Sequence, residues 1–179
     1  MQTPAASIFA YLQAKDGNRP HLMSHAFTDQ AVLEMVVNTG TISFPPIANG
    51  RDAIAEVLVR RFGQTYENVY TLCLSPPPED KQARFTCDWM VAMTEKGSGA
   101  VRVGCGSYDW HFAEDSFLAE RLSITIEVMQ SPPSDHCDEV MNWVSVLPYP
   151  WCPVEAVMRR TSNLDGLGAV LAYIGRKKI

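Results

Sequence analysis

Apolar residues recur along the chain with two different periods. Between residues 51 and 62 they fall three and four positions apart, which is the period of a helix with one buried face: Ile54, Val57, Leu58 and Phe62. Between residues 118 and 129 they alternate with polar residues, which is the period of a half-buried strand. The pattern therefore predicts both amphipathic helices and long strands.

The order of these elements predicts the class of fold. A first helix follows the capping pair Thr3-Pro4, and a short helix begins at Pro20. Seven further elements are expected, namely short strands at Ala31–Val37 and Thr41–Phe44, a helix at Arg51–Phe62, and long strands at Tyr66–Leu74, Gln82–Thr94, Ala100–Phe112 and Leu118–Met129. Helices followed by an antiparallel meander predict an α+β fold over residues 1–130, with residues 131–179 as a helical extension of the same domain.

Three short segments carry a resemblance to a known superfamily. They are Phe27–Ala31, Pro46–Ile54 and Gly104–Tyr108. Together with the element order, they make residues 5–129 resemble the nuclear transport factor 2-like superfamily, which includes steroid delta-isomerases, scytalone dehydratase, SnoaL-like cyclases, limonene epoxide hydrolase and binding domains without activity. The resemblance implies a cystatin-like, cone-shaped fold, in which a strongly curved antiparallel sheet wraps around the N-terminal helices.

The steroid isomerases within this superfamily give a residue-by-residue comparison. The resemblance places Tyr11 at the position of their oxyanion-stabilising tyrosine and Met35 at the position of their catalytic aspartate. Their second acid falls near Cys105. Because a thioether does not accept a proton at neutral pH, the steroid isomerase mechanism is not expected here.

Acidic residues and one histidine on the long strands are the candidates for proton transfer. Asp88 interrupts an apolar strand, and inside a hydrophobic cone its pKa would be raised. Asp109 and His111 share one strand face about 7 Å apart, so a substrate could bridge them. Each has a structural alternative, since Asp88 could lie at the surface and the other pair on a solvent or dimer face. Tyr11 could equally pack by its ring.

Aromatic and apolar residues are the candidates for a pocket lining. The predicted set comprises Met35, Phe44, Trp89, Cys105, Tyr108 and Trp110. Strand alternation separates Asp88 from Trp89, and Cys105 from Tyr108, onto opposite faces of the sheet. It does not decide which face points into the cone. Gly104 and Gly106 predict a bulge or a close backbone approach.

Composition bounds the kind of protein. The chain has 179 residues, which suits one domain, and its net charge of -5 argues against a nucleic-acid partner. The five cysteines form no CxxC pair, and neither a secretory signal nor a membrane-spanning run is evident, so we expect a reduced cytoplasmic protein. The His21/His25 pair lacks further ligands, so neither a metal nor a cofactor is expected. The basic run 176–178 is expected to be a solvated end.

Three functions remain open from the sequence. The first is an isomerase, dehydratase or cyclase acting without a cofactor on a small apolar molecule by general acid–base chemistry. The second is a non-catalytic ligand-binding or oligomerisation domain. The third resembles limonene epoxide hydrolase and would use Asp88, Arg102 and Asp109. A homodimer through the outside of the sheet is expected in each case.

Overall fold

A computed structural model describes residues 1–159, 161 and 164–176. Lys177 and Lys178 of the basic run lie outside this part. Helix α1 (Pro4–Asp16) begins as predicted, because the Thr3 hydroxyl accepts a hydrogen bond of 3.1 Å from the Ala6 N–H and Pro4 occupies the first turn. A 3₁₀ helix follows at Pro20–His25. It leads the chain into the sheet.

The described residues form a six-stranded mixed sheet. Its strands are β1 (Phe27–Val37), β2 (Ile47–Asn49), β3 (Tyr66–Cys73), β4 (Arg84–Glu95), β5 (Val101–Phe112) and β6 (Ala119–Gln130). The spatial order is β2-β1-β6-β5-β4-β3. Neighbours are antiparallel except β1 and β6, which run parallel. The α+β cone is confirmed, and its sheet is mixed instead of purely antiparallel.

The segment between β1 and β3 differs from its prediction at one point. The expected strand Thr41–Phe44 is wrong, because this stretch is a loop and the short strand is β2. Side-chain hydrogen bonds hold this loop in place of strand pairing. The Thr41 hydroxyl donates to the Met129 carbonyl at 3.2 Å, and Arg102 donates to the Thr41 carbonyl at 2.8 Å. The predicted helix follows as α2 (Arg51–Ala55), a π-helical segment (Glu56–Arg61) and α3 (Phe62–Thr65).

Two glycines in β5 allow β6 to pass close to it. A Cβ on Gly106 would lie 1.8 Å from the Thr125 carbonyl oxygen, and one on Gly104 would lie 2.4 Å from Met129 Cε. The β5–β6 register also shifts between Cys105 and Gly106. Of the two structural interpretations of these glycines, a bulge or a close backbone approach, the close approach is confirmed.

Each face of the sheet has its own apolar core. On the face we call inner, α1, α2 and the π-helical segment pack against residues such as Trp89, Tyr108 and Ile124. On the opposite, outer face, the extension packs against Met90 and Val103. The extension contains α4 (Cys137–Ser145), α5 (Val154–Met158) and α6 (Gly168–Ile174). Within the described ranges, every helix is too short or too polar to cross a membrane.

Candidate functional site

A small cavity lies between α1 and the inner face of the sheet. We call it the cone cavity, and its volume is about 40 Å³. Apolar side chains make most of its lining, and two polar side chains from different elements, Lys15 and Thr71, lie among them. The lining residues are Tyr11, Lys15, Met35, Ile42, Phe44, Leu58, Phe62, Thr71, Trp89, Val91, Met93, Tyr108, Ile124, Ile126 and Met129.

Helix α1 supplies a buried lysine to this cavity. Lys15 lies one turn after Tyr11, so both side chains lie on the same face of the helix. Its Nζ donates to Thr71 Oγ1 at 2.8 Å, lies 3.4 Å from Asp16 Oδ1, and lies 4.4 Å from the centre of the Phe62 ring. Burial lowers the pKa of Lys15, and the nearby Asp16 carboxylate opposes that shift. The lysine is therefore easier to deprotonate than a surface lysine.

Asp16 is held in place by three other donors. It accepts the Thr71 N–H at 2.8 Å, the Thr71 hydroxyl at 2.7 Å and the Tyr149 hydroxyl at 3.0 Å. Because the Thr71 hydroxyl donates to Asp16, its oxygen is free to accept from Lys15. Lys15 thus donates to Thr71, and Thr71 donates to Asp16. These hydrogen bonds fix the position of the amine at one end of the cavity.

Two more polar groups lining the cavity lack an acceptor. The Tyr11 hydroxyl and the Trp89 indole N–H are buried, and neither has a partner with hydrogen-bonding geometry among the described residues. Burial raises the pKa of Tyr11 far above its ordinary value and outweighs the opposing effect of a loose hydrogen-bonding contact from the Tyr108 hydroxyl, so the phenol stays protonated. A buried donor without an acceptor costs about 1–3 kcal/mol. An oxygen atom inside the cavity would recover that energy.

Three side chains separate the cone cavity from the surface. Ile42, Phe44 and Phe62 line both the cavity and a groove of about 370 Å³ outside it. Phe44 is half-buried and belongs to the loop between β1 and β2, whereas Phe62 begins α3. Phe44 therefore borders both spaces.

The predicted pocket residues divide between the two faces. Met35, Phe44, Trp89 and Tyr108 line the cone cavity. Trp110 packs behind it, with its ring 5.4 Å from that of Tyr11. Cys105 is a correction, because alternation along β5 turns it to the outer face, where it packs under the extension. Burial there raises the pKa of Cys105 to about 12.

Of the two positions left open for Asp88, the structure places it outside the cone. Asp88 alternates with the inward-facing Trp89 and therefore points to the outer face. It is 5% exposed, lies 3.1 Å from the Arg176 guanidinium and accepts a hydrogen bond of 3.5 Å from the Tyr173 hydroxyl. Arg176 is therefore not a free solvated end as expected, since it ties the end of α6 to the sheet.

Asp109 and His111 lie together, but outside the cone. Arg84 donates two hydrogen bonds, of 2.9 and 2.8 Å, to the Asp109 carboxylate, and His111 Nε2 lies 3.4 Å from the same carboxylate. Arg84 thereby holds the pKa of Asp109 below its usual range. Arg102 lies on the opposite side of β5 from Asp109 and pairs with Glu95 at 2.9 Å. The Asp88, Arg102 and Asp109 set does not converge.

Lys15 and Thr71 are the site residues that the sequence interpretation missed. A usable signal was present in α1, where Ile8, Tyr11, Leu12 and Lys15 fall at i, i+3, i+4 and i+7. A charged residue on an otherwise apolar helical face is unexpected unless it is paired or functional. Thr71 gave no such signal, because its contact with Lys15 joins residues 56 positions apart.

Comparisons with known proteins identify the fold. No protein-family model and no curated protein matches the chain. Among solved structures, a nuclear transport factor 2-like superfamily protein from Salmonella enterica serovar Typhimurium is 17% identical, with a TM-score of 0.54 over 68% of this chain and 87% of that one. A computationally designed 17-OHP binder is 14% identical, with a TM-score of 0.52 over 69% and 92% of the two chains.

A third solved structure is a protein from Catenulispora acidiphila with a ketosteroid isomerase-like fold, in complex with trimethylamine. It is 14% identical, with a TM-score of 0.51 over 66% of this chain and 82% of that one. Identities this low show the fold alone. The chain thus has the nuclear transport factor 2-like cone fold over about two thirds of its length, and activity must be argued from its own residues.

Proposed function

We propose that the cone cavity binds a small, mostly apolar molecule that presents one acceptor oxygen, such as a ketone, an aldehyde or an alcohol. The observation that carries this proposal is the unpartnered Tyr11 hydroxyl, fully buried in the lining of an otherwise apolar cavity. A ligand oxygen that accepts from Tyr11 satisfies this donor, and the hydrocarbon remainder of the ligand contacts Met35, Ile124 and Ile126.

The chemistry supported by this lining is general acid–base catalysis without a cofactor, of the isomerase, dehydratase or cyclase kind. Tyr11 and Tyr108 have raised pKa values, so at neutral pH both are hydrogen-bond donors and neither is a base. Lys15, whose pKa is lowered by burial, gives up its proton more readily than an ordinary lysine. Tyr11 would polarise the substrate oxygen while Lys15 moves the proton. Asp88, Asp109 and His111 have no part in this scheme.

The alternative is a binding domain without turnover, and it uses the same cavity. The epoxide hydrolase alternative loses its support, because Asp88 and Asp109 face away from the cavity. Two of the structurally similar proteins are named for small molecules, one as a 17-OHP binder and one as a complex with trimethylamine. That this fold can hold a small ligand supports the proposal without selecting one.

Ligand size follows from the cavity and its mouth. A volume of about 40 Å³ is well below the ~300–1,000 Å³ that is typical of pockets for drug-sized molecules. Movement of Phe44 toward solvent would add the outer groove of about 370 Å³. We therefore propose ligands of a few carbon atoms to one ring, entering past Phe44.

Tyr11→Phe tests the proposed role of the hydroxyl. The variant should bind cyclohexanone about fivefold more weakly, which corresponds to one hydrogen bond of ~1 kcal/mol. Methylenecyclohexane, in which a CH₂ group replaces the oxygen, should bind the variant and the parent protein equally. Binding is measured by the shifts of the tryptophan indole NMR signals, since Trp89 lines the cavity.

The stability of the variant is the control for folding. Tyr11→Phe removes a buried donor that lacks an acceptor, so its free energy of unfolding should be unchanged or up to ~1 kcal/mol higher. Failure of both ligands to perturb Trp89 in the parent protein would refute binding in the cone. Equal weakening of both ligands would show that Tyr11 shapes the cavity and does not recognise oxygen.

We further propose a homodimer in a reducing compartment such as the cytoplasm. The part of the outer face left open by the extension carries paired charges, including Glu34 with Arg121 at 2.8 Å and Arg84 with Asp109 at 2.8 Å. All five cysteines are free thiols, which supports a reducing compartment. Light scattering at about 100 µM should give twice the chain mass, with Arg84→Glu shifting the equilibrium toward monomer. A monomer at that concentration contradicts the dimer.

A further inference from the structure

We propose that Lys15 is a reactive amine that condenses with a small apolar aldehyde or ketone inside the cone cavity to form an imine. This inference rests on the proposed function, because it requires that a carbonyl compound enters the cavity, and it adds a covalent role for one residue.

The position of Lys15 suits a nucleophile. Its side chain is 10% exposed and lines an apolar cavity, while Tyr11, one turn earlier on α1, lines the same cavity with an unpartnered hydroxyl. A carbonyl group held between them would accept from Tyr11 through its oxygen and meet the Lys15 nitrogen at its carbon. A lysine desolvated in an apolar pocket is the usual form of an activated amine, because burial disfavours its charged state.

The charges around Lys15 favour a neutral carbonyl compound over a carboxylate. Asp16 lies 3.4 Å from the Lys15 nitrogen and already balances its positive charge. A ligand carboxylate would leave a buried excess of one negative charge next to Asp16, which is costly in an apolar site. A ketone or aldehyde adds no charge, and the iminium ion that it forms keeps the single positive charge paired with Asp16.

The atoms and charges of the condensation balance. The lone pair of the neutral Lys15 amine attacks the carbonyl carbon, and the C=O π electrons move to the oxygen that accepts from Tyr11. The oxygen takes a proton and the nitrogen loses one, giving a carbinolamine. Protonation of the hydroxyl and expulsion of water then form the C=N bond. In sum, one carbonyl compound, one amine and one proton give one iminium ion and one water molecule.

Reductive trapping tests this proposal on the full chain. The protein is incubated with butanal or cyclohexanone and cyanoborohydride, and the adducts are located by peptide mass spectrometry. Lys15 should be modified several-fold faster than the exposed Lys81, because burial lowers the pKa of Lys15 and so increases its neutral fraction at a given pH. The labelling rate at Lys15 should also begin to increase at a lower pH than the labelling rate at Lys81.

Two controls separate covalent chemistry from binding alone. Lys15→Met keeps an unbranched side chain and should abolish fast trapping, whereas the matched surface variant Lys81→Met should leave it unchanged. Methylenecyclohexane, which fills the cavity but cannot condense, should slow labelling of Lys15 in the parent protein without affecting Lys81. This competition needs no variant, so it stays informative if Lys15→Met folds poorly.

The outcomes also separate this inference from the proposed function. Indole shifts of Trp89 on ligand addition, with no trapping at Lys15, would overturn the imine while leaving the binding proposal intact. Labelling of Lys81 before Lys15 would overturn it as well. Absence of both the shifts and the trapping would overturn both. Fast, competable labelling confined to Lys15 is the result that we expect.

Discussion

At the scale of single residues, Lys15 is the position where burial and charge conflict most directly. Its ammonium group donates hydrogen bonds to Thr71 and Asp16, but it loses the water that stabilises it outside the fold. The loss is the larger effect, which is why the pKa of Lys15 is lowered. An ionisable group kept under such conditions is a candidate for function, since an apolar residue would fill the same space at lower cost.

The lowered pKa of Lys15 predicts a particular pH dependence of stability. At pH values between the pKa of Lys15 in the folded protein and its ordinary pKa of ~10.4, the unfolded state carries more protons on this group than the folded state does. The free energy of unfolding therefore rises with pH in that range. Below the folded pKa the full cost of burying the charge is present. Urea unfolding from pH 7 to 9.5 should therefore show the parent protein gaining stability relative to Lys15→Met as pH rises.

The surface lysine provides the comparison for that measurement. Lys81 is exposed, and Lys81→Met should shift stability by the same small amount at each pH. A constant difference between the parent protein and Lys15→Met across the range would show that Lys15 titrates as an ordinary lysine. The same measurement therefore tests the physical basis of the proposed amine chemistry independently of any ligand.

At the scale of secondary-structure elements, β5 decides the shape of the inner face. Gly106 removes the side chain where the Thr125 carbonyl of β6 approaches, and the register shifts at the same point. The extra residue is Glu127 on β6, and such a bulge bends the strand that carries it and increases its twist. Tyr108 and Trp110 of β5 contact α1, where their rings lie 6.3 and 5.4 Å from that of Tyr11.

Gly106→Ala should be strongly destabilising for this reason. The new methyl group would lie 1.8 Å from a backbone oxygen, so the two strands must separate, at an expected cost of about 3 kcal/mol or more in the free energy of unfolding. Gly40→Ala is the matched control, because a Cβ there meets nothing within 4 Å, and its effect should stay within about 0.5 kcal/mol. Similar urea midpoints for the two variants would contradict the close approach of β6.

At the scale of the whole molecule, the extension closes the outer face over half of the sheet. Trp143 and Val144 of α4 are buried in the same cluster as Met90 and Val103 of the sheet. Trp151 pairs with Cys73 at the edge of the sheet, and its side chain packs against the inner-face cluster, with its ring 6.2 Å from that of Phe85. The apolar residues on that face of β4 and β5 are therefore core residues, and the cone and its extension share a sheet with two apolar faces.

Trp143→Ala measures how much this docking contributes. Removal of a large buried ring should lower the free energy of unfolding by about 3 kcal/mol. Val146 lies at the end of the same helix and is 61% exposed, so Val146→Ala should change the free energy of unfolding by less than about 0.5 kcal/mol. A loss below 1 kcal/mol for Trp143→Ala, by urea unfolding, would indicate that the extension is only loosely docked.

Local pattern was enough for most of the fold. The strands β3 to β6 were predicted within two residues of their observed ends, because strict alternation and the turn residues between the strands are properties of neighbouring positions. The same holds for the Thr3 cap and for the two glycines of β5. The failure at Thr41–Phe44 has a non-local cause, since Arg102 and Met129 from distant strands hold that segment as a loop.

The site depended on information that the sequence alone does not contain. Alternation places Asp88 and Trp89 on opposite faces, but only packing decides that helix α1 covers Trp89 and the extension covers Asp88. With two apolar faces, the pattern of a strand is nearly symmetric, so either assignment satisfies it. The chain by itself determined the cone and its strands, whereas the tertiary structure alone brought Thr71 to the cavity that Lys15 and Tyr11 line, because the contact between Lys15 and Thr71 joins residues 56 positions apart.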